Sequence, residues 1–213
     1  GVDVRDNAGN TSADDLQWDL QGNSRFGANI TAGDNIKAQI EFGVTDADGG
    51  GNVSSRRIYG VWDFGPGSLK VGKDYTPITF FLSGQVFATD AGLLNVGNAY
   101  GARRGLLELQ FGGFKIAAIN QSTDDLGTGG VVEKMLPKFE AAYEMKMDAF
   151  SWHVFGGYQT YDVNVAQGAG TASIGVDSYV VGVGASFDIG PMFIKPQLSY
   201  YENGAAAGWL FDF

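Results

Sequence analysis

The sequence predicts an all-β chain whose antiparallel strands close into a barrel, on three observations. Residues alternate: Lys138, Glu140, Glu144, Lys146 and Asp148 are interleaved with Phe139, Ala141, Tyr143, Met145 and Met147. A period of two belongs to a strand whose faces meet different surroundings. Most segments of this kind run about ten residues, beyond the soluble mode of about five or six and enough for a tilted strand to cross a bilayer. The connections also sort by length. Tight turns at Gly33-Asp34-Asn35, Gly65-Pro66-Gly67, Gly112-Gly113, Asp148-Ala149 and Gly190-Pro191 take turns with long links at 46–55, 76–102, 122–137, 162–177 and 203–207. The tight turns carry the residues that turns favour.

The strands follow in order. A first is expected at 15–31, before the first tight turn. At 36–45, Ile36, Ala38, Ile40, Phe42 and Val44 make an uncharged face opposite Lys37, Gln39 and Glu41. Strands 56–64 and 68–75 flank Gly65-Pro66-Gly67, and 103–111 and 114–121 flank Gly112-Gly113. Strands 138–147 and 150–161 flank Asp148-Ala149. At 178–189, Tyr179, Val181, Val183, Ala185, Phe187 and Ile189 oppose Ser178, Gly182, Gly184, Ser186 and Asp188. Strands at 192–202 and 208–213 complete the set, the last with aromatics at every second position from Trp209 to Phe213. Val2 to Arg5 reads as the end of a still earlier strand, with 6–14 as its long loop.

Composition narrows the class. The chain has 213 residues, 33 of them glycine, with 13% aromatics and only 18% charged residues, below the roughly 25% of ordinary soluble domains. It reads as one domain, 1–213, with 76–102 as a distinct loop within it. There is no cysteine, so disulfides play no part. A net charge of −10 and the lack of a basic stripe exclude nucleic-acid binding and electrostatic docking on an anionic membrane surface. No apolar run reaches the length of about 18 residues that a transmembrane helix needs.

The alternation alone leaves the direction of the faces open. The polar face carries Lys37, Glu41, Arg57, Lys70, Glu108, Glu140, Glu144 and Lys146. Unpaired charges in such number cannot fill a dry core, whereas a water-filled lumen holds them at little cost. The apolar face then meets lipid, and closing the sheet leaves no unpaired edge in the membrane. Aromatics near strand ends (Trp62, Phe64, Tyr75, Phe111, Phe114, Phe150, Trp152, Tyr200, Tyr201) are candidates for interface girdles, although aromatics also favour strands in general.

The link at 76–102 holds Phe80, Phe81, Leu82, Val86, Phe87, Leu93, Leu94 and Val96, and one charge, Asp90. It is too apolar to stand in water. Folding into the lumen would cover it and narrow the channel; packing on a neighbouring subunit or on the rim is the alternative. Here the chain resembles the general, trimeric porins of Gram-negative outer membranes. The resemblance rests on Asn23-Ser24-Arg25-Phe26-Gly27, Asn35 to Phe42, Ser55-Arg56-Arg57-Ile58-Tyr59-Gly60 and, above all, Leu69-Lys70-Val71-Gly72-Lys73-Asp74-Tyr75-Thr76-Pro77. It implies sixteen strands, of which this sequence holds a part; a complete barrel of twelve is the alternative. It also implies an inward third loop, a homotrimer in outer-membrane lipid, and passive diffusion of small hydrophilic solutes and ions without a cofactor. The basic wall of such a constriction would come from Lys73, Arg56, Arg57, Arg103 and Arg104, facing Asp90. Strict parity places Arg57, Lys70, Asp74, Arg104 and Glu108 in the lumen and Lys73, Arg56 and Arg103 outward. The basic cluster gives a weak lean to anions.

Other chemistry has little support. His153 is the single histidine, on the lumen side by parity, which argues against a histidine-based triad or zinc site. Asp46-Ala47-Asp48-Gly49 is a fragment of a calcium-loop pattern without its remainder. The glycine-rich stretches match no phosphate-binding loop. Glu140 and Glu144 are a glycosidase-like pair in type, but on alternating strand positions they read as lumen lining. An outer-membrane barrel enzyme and a soluble carbohydrate-binding sandwich stand as the alternative functions.

Overall fold

The computed structural model describes residues 2–5, 15–18, 24–45, 51–81, 99–168 and 170–209. Two strands, β1 (Val2–Arg5) and β2 (Asp15–Trp18), pair in a small antiparallel sheet of their own. The other twelve form one antiparallel sheet. They are β3 (Ser24–Ala32), β4 (Ile36–Thr45), β5 (Asn52–Asp63), β6 (Ser68–Tyr75), β7 (Arg103–Phe111) and β8 (Phe114–Ile119), followed by β9 (Val131–Glu133), β10 (Lys138–Met147), β11 (Phe150–Gln167), β12 (Gly170–Ile189), β13 (Met192–Ile194) and β14 (Gln197–Glu202). Two rows are each made of two pieces. Short β9 lies along the far end of β11, beyond β10, and β13 and β14 both lie along β12, so the twelve strands make ten rows. The break between β13 and β14 falls at Lys195-Pro196. Proline has no N–H to give the ladder, yet the Pro196 carbonyl still accepts from Ala185 N at 3.0 Å. Among the described residues β3 and β13–β14 are the two ends of the sheet and do not pair with each other.

Several expected boundaries move. The segment at 15–31 is two strands in different sheets, β2 and β3. The link at 162–177 is not a long loop: β11 and β12 pair residue by residue from Phe150↔Phe187 to Gln167↔Gly170. Alternation persists there, but its sense is reversed. Nearer the tight turn, the outward residues of β11 and β12 are apolar (Val154, Val181, Val183) and exposed. Beyond the Tyr158↔Tyr179 pair the outward residues are Asp162, Asn164, Asp177 and Ser173, while Tyr161, Val163 and Val176 cluster on the inward side. The ribbon has left one solvent and entered another, and the change of sense reads as a longer loop when only the apolar-outward pattern is followed. Nor does a strand begin at 208: residues 204–208 are a turn, and the expected strand beyond Trp209 lies outside the described residues.

The reversal marks one edge of the bare apolar band. From the tilted Phe150–Phe187 pair, rings 5.0 Å apart, to the Tyr158–Tyr179 pair is eight residue steps. At about 3.4 Å each this is roughly 27 Å of strand, shortened by tilt, which matches an apolar band of about 25 Å. At the tight-turn end Trp62, Phe64 and Phe111 form a chain of edge contacts at 5.6 and 6.0 Å. Two expected girdle residues belong elsewhere. Tyr201 packs inward against buried Trp209 and its cluster, and Tyr75 contacts Phe81 and Tyr100 of the 76–102 link.

The burial confirms which face is which. On β12, Val181 is 55% exposed and its neighbour Val180 0%. Along β10 the order is the same: Phe139 is exposed, Lys138 and Glu140 are buried. Charge is covered and grease is bare, the inverse of a soluble core.

Val181→Arg puts a charge into the middle of the bare face. An arginine there is expected to cost about 2–4 kcal/mol in urea unfolding from lipid vesicles. On a water-facing surface the same change would fall within about ±0.5 kcal/mol.

Candidate functional site

The covered face carries a ladder of ion pairs across β4 to β7. Arg57 Nε lies 2.7 Å from Asp74 Oδ1, Lys70 Nζ 2.9 Å from Asp74 Oδ2, and Lys70 Nζ 3.1 Å from Glu108 Oε1. These side chains meet because they stand on adjacent rows with the same parity: Lys70 pairs directly with Glu108, and Asp74 with Arg104. Lys70 also lies over the Tyr59 ring at 5.2 Å, and the Tyr59 hydroxyl donates to Gln39 at 2.8 Å. Asp74 and Glu108 are only 2% exposed, so each acid is screened by cations rather than by water.

Arg56 departs from the expected outward orientation. The register of β4 on β5 shifts between Glu41 and Phe42, so that Glu41 faces Arg57 and Phe42 faces Ser55. Arg56 is the extra residue of this bulge. It turns to the polar face and binds Glu41, Nε to Oε1, at 2.8 Å. A bulge redirects a side chain in this way because two residues oppose one across the ladder. Lys73 remains off the polar face, as parity requires, with Nζ donating to the Ser55 carbonyl at 2.7 Å. Arg103 sits opposite Tyr75, donating to its hydroxyl at 2.8 Å, outside the ion-pair ladder. Arg104 is on the polar face and donates to Ser122 Oγ at 2.9 Å. Asp90 lies outside the described residues.

From the end of β6 the chain crosses this face. Thr76, Pro77 and Ile78 are buried, and the returning residues Ala99, Tyr100 and Gly101 lie beside them, with Thr76 N donating to the Ala102 carbonyl at 3.2 Å. Ile78 N points at Glu140 Oε2, 3.5 Å away on β10, three rows from β6. Phe80 goes one row further and stacks on His153 of β11, ring centroids 3.7 Å apart. The imidazole in turn lies on Gly184, where a Cβ would come within 2.5 Å of the ring, and its Nε2 meets Gln197 Oε1 at 3.1 Å. Both described ends of the 76–102 link therefore run over the inside of the sheet. Burial raises the Tyr100 hydroxyl above its usual pKa, so it stays neutral at the foot of the link.

Beneath the crossing lies a cavity of about 460 Å³. Arg57, Lys70, Lys115, Lys146 and Lys195 line it, against Asp74, Glu108 and Glu144: five cations less three acids leaves a formal charge of +2. The acids are already paired, Glu144 with Lys146 at 3.2 Å. Lys115 and Lys195 have no ion pair among the described residues. Lys115 shares the polar-face parity of Glu108 and was readable from the sequence on that ground. Lys195 was not, because it stands in the break between β13 and β14. Lys138 and Glu140, expected to face water, are instead dry: the crossing chain covers them.

No family model and no curated protein matches this chain. Solved structures do. The outer membrane channel DcaP of Acinetobacter baumannii matches with a TM-score of 0.69 at 16% identity, over 90% of this chain and 55% of that one. OmpT, an outer membrane protein of Vibrio cholerae, matches with a TM-score of 0.50 at 17% identity, over 90% and 58%. A form of OmpT lacking its loop L8 gives 0.52 at 17%, over 90% and 64%. The fold is that of outer-membrane β-barrel proteins, and this chain spans little more than half the length of the first two.

Asp74→Asn removes the carboxylate shared by Arg57 and Lys70. The expected result is a stability loss of about 1–3 kcal/mol by urea titration, since Arg57 loses its acid partner and Lys70 is left with Glu108 alone. Asp74→Glu should recover most of it.

Proposed function

We propose that the chain forms a porin-like channel in the outer membrane of a Gram-negative bacterium, passing small hydrophilic solutes and ions by passive diffusion. The observation that carries this is the pairing of a bare apolar band with a covered, charged face crossed by the two described ends of the 76–102 link. Lipid suits the first. A file of water and ions suits the second, because charges that would be costly in a dry core need only be screened in a wet lumen. The link then acts as the constriction, set against the Arg57–Asp74–Lys70–Glu108 ladder on one side and His153 on the other. Likeness in fold to an outer-membrane channel supports the same reading.

Selectivity would follow from the charge around the cavity, where the formal excess of +2 lies within a few ångströms of any passing ion. The net charge of −10 belongs to the whole chain and does not set the field at that point. Anions are therefore the preferred ions, and Lys115 and Lys195, which make no ion pair among the described residues, are the groups placed to meet them. The porin-like stretch from Leu69 to Pro77 supports a homotrimer. No covalent step and no cofactor enters this function. The His153 ring is stacked on Phe80 and meets Gln197 through Nε2.

Purified protein added to a planar lipid bilayer is expected to raise ion conductance in discrete steps; silence from folded protein would overturn the channel. Under a salt gradient the reversal potential should have the sign of anion preference, and Lys115→Glu should move it toward cations. Cation preference in the unmodified protein would remove the anion assignment and leave the channel standing.

A further inference from the structure

We propose that residues 203–209 form a second inward segment of the channel, and that the buried pair Lys138–Glu140 positions it together with the first. This rests on the channel reading above. After β14 the chain turns sharply, with Asn203 and Gly208 both in the left-handed region at φ 49° and 66°. Two backbone hydrogen bonds close the turn, Gly208 N to the Ala205 carbonyl at 2.8 Å and Trp209 N to the Gly204 carbonyl at 2.9 Å. The turn lies against the covered face. Ala207 and Trp209 are both 0% exposed, and they share one cluster with Ile78 and Ala99 of the first segment and with Phe155 and Val180 of the wall. Room for the indole comes from Gly157 on β11, where a Cβ would stand 2.7 Å from Trp209 Cζ2.

Both segments end on one ion pair. Glu140 Oε1 accepts from Trp209 Nε1 at 2.8 Å and lies 3.3 Å from Lys138 Nζ. Glu140 Oε2 faces Ile78 N of the first segment at 3.5 Å. Lys138 Nζ donates to the Ala207 carbonyl at 3.2 Å and lies over the Trp209 ring at 5.4 Å. Two charges without water are expensive, and their mutual attraction alone does not make them a stability device. What the pair does here is present donors and acceptors, at a chosen height on the wall, to two chain segments arriving from β6 and from β14. Lys138 and Glu140 are thus positioning residues: they touch no solute, and they set how far both segments reach into the lumen.

The test uses the full chain in planar bilayers. Lys138→Met with Glu140→Leu replaces the pair by apolar side chains of similar volume, which buried ion pairs commonly tolerate without loss of folding. All three polar anchors disappear, and the conductance step should rise by roughly 1.5-fold or more as both segments loosen. Lys138→Met with Glu140→Gln keeps a single acceptor oxygen, enough for Trp209 or for Ile78 but not both, and should return part of the way to the unmodified step. A second measurement is independent of conductance. The chain has four tryptophans, so the emission of the unmodified protein less that of Trp209→Phe isolates Trp209. That emission should be blue-shifted and shielded from acrylamide, and it should become quenchable in the Met/Leu double variant. Unchanged conductance in that variant, with the unmodified protein conducting, would overturn the proposal. So would free quenching of Trp209 in the unmodified protein. Should the unmodified protein not conduct at all, the channel reading fails, and the quenching experiment alone decides whether 203–209 lies inward.

Discussion

Hydrocarbon cannot hydrogen-bond a peptide group, and most of this structure follows from that constraint. A strand in lipid must find every backbone partner in its neighbours, and this chain meets that demand as a continuous antiparallel sheet, with each row paired to the next from β3 to β14. Side chains alternate across the sheet and cannot choose a face independently of the backbone. One face is therefore apolar and bare through the height of the band, and the charges of that stretch collect on the other. The reversal at Tyr158 and Tyr179 shows the constraint being lifted. Once the ribbon clears the apolar band, water surrounds its outer side and the ordinary arrangement returns, with Tyr161, Val163 and Val176 inside and Asp162 and Asn164 outside.

Gathering charge on one face creates a second problem, which the structure solves in two ways. On β4 to β7 the charges neutralise one another in a ladder, with Asp74 held by two cations and Glu41 by Arg56. On β10 the charges bind chain: Lys138 and Glu140 receive the backbone and indole groups of segments that cross the face. The first arrangement leaves a charged open space, the second a dry and shaped one. The cavity lies where the two meet, between the ladder and the Phe80–His153 stack.

Much of this was legible in the sequence. The tight turns, the ten-residue strands and the uncharged faces of 36–45 and 178–189 came through because they depend on residues adjacent in the chain. The polar-face positions of Arg57, Lys70, Asp74, Arg104 and Glu108 followed from parity alone. Arg56 did not, because a bulge shows itself only when two strands are laid side by side. The ribbon at 162–177 reads as a loop in the sequence because its apolar residues change face partway along. Lys195 was missed because it occupies a break between strand pieces, where parity has no meaning. The inward turn at 203–209 had no local signal at all: five small residues and a tryptophan acquire their role only from Gly157, Lys138 and Glu140, which lie far away in the chain.

The sequence by itself determined that there are two faces, most of the residues that belong to each, and where the tight turns fall. These are properties of a period-two backbone and of turn residues, both set within a few residues. It also determined that the polar face could not be dry throughout. Only the tertiary structure decided which parts of that face are open and which are covered. That depends on where the chain after β6 and after β14 comes to rest, and a segment rests where distant partners offer hydrogen bonds and apolar area together. Glu140 is the example: a lumen-lining acid by pattern, it is the shared anchor of two crossing segments in space, because Ile78, Trp209 and Lys138 converge on its two oxygens.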